Sequence, residues 1–124
     1  MTTSTLHSIA AFLLFAVGLA HSTLGEKYIL MRLFRQPDLP KLFGDTTFTI
    51  RTLRFAWHLT TIAWWGFAAM LVLAARDTLS PEHASQALGV TMLVTGATIL
   101  FASRGRHLAW PVFTVIGLIA LIAD

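Results

Sequence analysis

His21, His58 and His107 each stand near one end of an apolar stretch of the chain. If those stretches cross a bilayer in alternating directions, the three imidazoles reach one depth on one side, beside Glu26, Arg54 and Arg106. An ionisable side chain inside a membrane span is costly and marks a functional site by default. Imidazole is the commonest protein ligand for metals, and a carboxylate completes many zinc and non-haem iron sites. Helix bundles build such sites from side chains that point inward from separate helices. His21, Glu26, His58 and His107 are therefore candidate ligands for a divalent transition metal, zinc or iron. No local spacing such as H-E-x-x-H accompanies them, so the signal is a constellation rather than a motif.

The same residues admit other chemistry. Two histidines from different helices can clamp the iron of haem b, with Arg54 and Arg106 on the propionates and Trp65 and Trp110 against the macrocycle. A second haem at the level of His7 lacks a partner histidine on the second stretch. Histidine also changes charge near neutral pH, and intramembrane His/Glu sets serve proton relays. Arginines around a vestibule would draw anions. The purely structural alternative is that these histidines bond backbone carbonyls or headgroups, Glu26 pairs with Arg54 or Lys27, and Trp57 and Trp110 belong to an aromatic belt. Such a protein would be an accessory subunit with no site chemistry.

The elements that must carry these groups are apolar helices. The chain has 124 residues, 56% hydrophobic and 12% charged, against about 25% charged in a soluble domain. A spanning helix needs about 20 mostly apolar residues. Four stretches approach that length: Thr5 to Leu24, Phe55 to Ala75, Ala84 to Ala102, and a short one from His107 to Ala123. Pro111 falls in the first turn of the last, where a missing N–H matters least. The first stretch has no Lys or Arg before it, unlike a cleaved signal peptide, and is expected to be retained. The segment Lys27 to Arg35 is expected to prolong the first helix or lie at the interface, until Pro37 and Pro40 break it. Gly44-Asp45-Thr46-Thr47 reads as a turn with capping residues for the second helix. Ser80-Pro81 reads as an N-cap with proline at the first helical position. Ser103-Arg104-Gly105-Arg106 reads as a very tight turn.

On the second helix Arg51, Arg54, His58, Thr61 and Trp65 recur at spacings of three and four and form one polar-aromatic stripe. In a bundle that stripe should face inward or line a cavity, since charged groups avoid lipid. Gly89, Thr91, Thr95, Gly96 and Ala97 make the third helix rich in small residues and suited to close packing. The basic residues set the orientation. Lys27, Arg32, Arg35, Lys41, Arg51 and Arg54 lie between the first two stretches, and Arg104 and Arg106 between the last two; only Arg76 lies on the other side. This asymmetry accounts for the sequence pI of about 10.2 without nucleic acid as a partner.

The expectation is one all-α domain over residues 1–124, a polytopic up-down bundle of four transmembrane helices. It is expected in a cell membrane of the bacterial inner-membrane type, with both termini outside and lipid as its surroundings. A chain this small is expected to transport anything only as a homo-oligomer or within a larger membrane complex. With no cysteine, thiolate metal sites and iron–sulfur ligation are excluded.

Overall fold

The computed structural model describes residues 1–123. Among them the chain is all-helical, with no strand. Its helices are α1 (Thr3–Leu33), α2 (Thr47–Ala75), α3 (Pro81–Ser103) and α4 (Ala109–Ile122). The first three are long and apolar enough to cross a membrane; α4, with 14 residues, is short for a span.

The helix ends follow from local chemistry. Thr2 caps α1 by accepting from the Thr5 N–H at 3.2 Å. The segment after Leu24 does prolong α1, but through a π-turn over Glu26–Leu30, in which the Met31 N–H reaches back five residues to the Glu26 carbonyl. Ahead of α2, the Leu42 N–H bonds the Asp45 carbonyl across a tight turn whose central residues, Phe43 and Gly44, have φ of 57° and 94°. Asp45 Oδ1 then accepts from the Thr47 N–H at 2.9 Å. Ser80 caps α3 through the His83 N–H at 3.1 Å, with Pro81 as the first helical residue. At the other end of α3, Arg104 turns left-handed at φ 53° and the Gly105 N–H closes on the Leu100 carbonyl at 2.8 Å. That motif satisfies carbonyls the helix leaves open.

The helices pack antiparallel, each on its neighbour in sequence, and α1 and α4 do not form a packed pair. The result is an open row of four helices in up-down order, three of them long enough for the expected spans and α4 short for one. The buried hydrophobic residues are few: Ala11, Leu30, Phe55, Ala68 and Ile99. The helices meet instead through close backbone approach and hydrogen bonds, the means by which apolar helices associate where water exclusion gives no drive.

Two seams show how close approach is achieved. On α1, Ala11, Gly18 and Gly25 recur every seven residues, and all are buried. A Cβ at Gly18 would stand 2.7 Å from Trp65 Nε1, and one at Gly25 would run into the Trp57 indole. On α3, Gly89, Gly96 and Ser103 recur every seven residues, also buried. A Cβ at Gly96 would stand 2.8 Å from Thr114 Oγ1 of α4, and Gly89 lies against Leu121 and the Gly117 carbonyl. A strict seven-residue repeat keeps one small-residue stripe facing the partner helix.

Candidate functional site

The α1–α2 seam carries the polar groups. On α1, Ser22 and Glu26 are four residues apart and share a face; on α2, Arg54, His58, Thr61 and Trp65 form the matching stripe. From Arg54 to Trp65 the stripe faces α1. Glu26 is held at two points by Arg54, with Nη2 to Oε1 at 2.9 Å and Nε donating to Oε2 at 3.3 Å. His58 Nε2 lies 3.1 Å from Glu26 Oε2, and His58 Nδ1 lies 2.8 Å from Ser22 Oγ. Ser22 Oγ lies 2.7 Å from Thr61 Oγ1, which donates to the Gly18 carbonyl at 3.0 Å. A continuous chain thus runs from Glu26 through His58 and Ser22 to Thr61. Its outer members are partly open, with side chains 45%, 31% and 30% exposed at Arg54, Glu26 and His58, whereas Thr61 is 3% exposed.

Each hydroxyl along this chain has one hydrogen to give, which couples the donors. When Thr61 gives its hydrogen to the Gly18 carbonyl, Ser22 must donate to Thr61. Ser22 then accepts on its other side, so His58 Nδ1 carries a hydrogen. The gap between His58 Nε2 and Glu26 Oε2 must then hold one more proton, on the imidazole or on the carboxyl. In the opposite sense Thr61 gives up the Gly18 carbonyl and donates to Ser22, Ser22 donates to Nδ1, and a neutral His58 donates from Nε2 to a charged Glu26. The two arrangements differ by one proton, by the direction of two hydroxyls and by the Thr61–Gly18 bond, which only the first retains.

His21 occupies the other flank of the seam. Its Nε2 donates to the Trp57 carbonyl at 3.2 Å, and Trp57 Nε1 donates back to the His21 carbonyl at 3.0 Å. The two rings stack with centroids 4.5 Å apart, and Trp64 meets His21 edge-on at 5.1 Å. His107 lies elsewhere, stacked on Phe48 and edge-on to Phe55 at the start of α2. Trp65 closes the inner end of the polar chain: it stacks on Phe15 at 5.1 Å and donates to the Phe15 carbonyl. Arg106 is exposed on the α3–α4 connection, and Trp110 belongs to the α3–α4 seam, where its carbonyl faces Gly96.

Of the four expected metal ligands, then, Glu26 and His58 meet, His21 sits across the seam, and His107 packs between phenylalanines. Among the described residues no group of three or more His, Asp or Glu side chains could hold a metal ion. The carboxylate that would anchor one is already occupied by a guanidinium. Arg54 and Trp65 lie in the α1–α2 seam, Arg106 on the α3–α4 connection and Trp110 in the α3–α4 seam. The expected Glu26–Arg54 pair and the histidine bonded to a backbone carbonyl are both present. Ser22, the link between His58 and Thr61, was not singled out in the sequence, although its place four residues before Glu26 puts it on the same face.

Compared with known proteins, the chain matches no family model, no curated protein and no solved structure.

Proposed function

We propose that this is a small multi-pass membrane protein that binds and releases a proton at the Glu26–His58 pair. The observation that carries the reading is the hydrogen count of the Glu26–His58–Ser22–Thr61 chain, which has a proton-filled arrangement that keeps every bond and a proton-free one that gives up only the Thr61–Gly18 bond. Intramembrane His/Glu sets have this use. In the proposed placement the basic end faces the cytoplasm, as the positive-inside rule directs, and both termini lie outside a bacterial-type inner membrane. His58 then stands about 26 Å along α2 from Ala75, just within a hydrocarbon core about 30 Å thick. α4 serves as a short fourth span, accommodated by local thinning of the bilayer.

The open row supports a companion reading about assembly. A groove of about 650 Å³, lined by Ser8, Phe12, Phe15, Trp65 and Val72, runs along α1 and α2 beyond the Phe15–Trp65 pair. It lies open along the side of the helix row. A complete proton or anion pathway would need a second copy or a larger complex to enclose it, so a single chain by itself binds a proton and does not conduct one.

The test is nitrogen NMR of the histidine rings in nanodiscs, together with proton uptake by the purified protein. Lowering the pH is expected to convert His58 to the doubly protonated ring, with about one proton taken up per chain at this site. His58→Ala should remove that proton and His107→Ala should leave it. A His58 ring that never changes state sinks the reading. Stoichiometric bound metal, reduced by His58→Ala, replaces it with the metal site.

A further inference from the structure

Arg54 touches α1 twice. Its guanidinium pairs with Glu26, the first residue of the π-turn, and also lies over the Phe34 ring, 4.9 Å from the centroid, just past the end of α1. An unbroken α-helix would not permit both contacts. Eight residues at about 100° each leave Phe34 about 80° away from Glu26 around the axis. A π-turn carries one extra residue and sets the phase back by about 100°, which brings the two to within about 20° of one face. The burial pattern records the same shift. One turn beyond the buried Gly25, an α-helix would place Ile29; in this structure Leu30 is buried, at 2% exposed, and Ile29 is 48% exposed.

We infer that Arg54 holds the segment from Glu26 to Phe34 in this phase, and that a proton arriving at Glu26–His58 releases it. The inference rests on the proton-binding reading above. Arg54 and His58 are four residues apart on α2, so their side chains are neighbours. A charged His58 repels the guanidinium and competes with it for Glu26 Oε2. The charged and titratable groups on this face are Glu26 from α1 and Arg51, Arg54 and His58 from α2, with Arg51 one turn before Arg54; Lys27 lies over the Tyr28 ring at 5.2 Å. Once Arg54 lets go, nothing ties Phe34 to α2 through this residue, and the segment returns to α-helical phase. Leu30 then turns outward, Ile29 turns inward, and the loop from Arg35 onward is carried round by about a quarter turn. The device converts a protonation inside the membrane edge into a rotation of the basic loop.

The experiment labels single cysteines introduced as Ile29→Cys and Leu30→Cys in the full chain in nanodiscs, across a pH series that also follows the His58 ring by NMR. Labelling at position 30 should rise by about threefold or more as His58 becomes charged, and labelling at 29 should fall, the pattern a one-residue change of phase produces. Arg54→Gln should produce the same pattern at every pH. Deleting Tyr28 removes the extra residue, keeps the buried phase without a π-turn, and should abolish the pH response while leaving His58 titration in place. If His58 titrates and the labelling pattern stays constant, the inference is overturned and the proton site stands. If His58 does not titrate, the proton reading fails. The Arg54→Gln arm then still decides the clamp: unchanged labelling there overturns it.

Discussion

The two outer seams of the row are built alike and used differently. In α1–α2 and in α3–α4, buried small residues recur every seven positions and let one backbone approach the next helix. Beyond that the seams diverge. The α3–α4 seam holds hydroxyls bound to nearby carbonyls: Thr95 to Thr91, Thr114 to Trp110, and Ser85 across to Ala120. The α1–α2 seam adds an ion pair, two histidines and two tryptophan N–H groups, all bonded between the helices. Close packing is therefore separable from chemistry in this fold. The α3–α4 seam joins two helices with a small-residue stripe and one hydroxyl bond across it, and the bonded titratable groups are an addition to the α1–α2 joint.

The largest expected effect tests that separation. Gly25→Leu drives a side chain into the Trp57 indole, and Gly96→Leu drives one into Thr114 and the Trp110 carbonyl. Overpacking of this kind costs about 1–3 kcal/mol, and both variants should lower the thermal unfolding temperature in detergent. Only Gly25→Leu should also abolish proton uptake. Loss of uptake in Gly96→Leu would mean that the seams act as one unit.

An intermediate effect sharpens the hydrogen count. In Thr61→Val the Ser22 hydrogen loses its acceptor on Thr61 and turns to His58 Nδ1. Nitrogen NMR should then show the His58 ring with its hydrogen on Nε2 and none on Nδ1. Thr95→Val, the counterpart in the other seam, should leave the ring tautomer unchanged. A hydrogen that stays on Nδ1 in Thr61→Val would reverse the proposed order of donors.

The smallest effect concerns the other flank. His21→Phe keeps a ring to stack on Trp57 and gives up one bond to its carbonyl. Interhelical hydrogen bonds in membranes average about 0.6 kcal/mol, so unfolding should shift by about that much and proton uptake should be untouched. A loss of uptake would place His21 in the proton site and join the two flanks.

Local rules made much of this architecture readable in advance. Apolar length marked the helices, and Ser80-Pro81 and Asp45 marked two of their starts, because a cap depends on a few adjacent residues. The stripe Arg54–His58–Thr61–Trp65 was readable because helical period alone decides which residues share a face. The partners of that stripe were less so. Equal depth in the membrane suggested that His21, His58 and His107 would meet, yet depth is one coordinate, and the angle around each helix decides the contact. His21 and Ser22 are adjacent in the chain and about 100° apart on the helix, which puts them on opposite flanks of one seam.

The sequence by itself determined the number of helices, their polarity pattern, the concentration of basic residues at one end and the small-residue stripes that let them touch. These are properties of single helices, set by composition and period. Tertiary structure alone decided that the helices form an open row, that Arg54 pairs with the Glu26 carboxylate, and that α1 inserts a π-turn where Arg54 reaches both Glu26 and Phe34. Each of these depends on the relative rotation of two helices. That rotation is chosen by close packing at Gly18 and Gly25 against Thr61, Trp57 and Trp65, contacts between residues far apart in the chain.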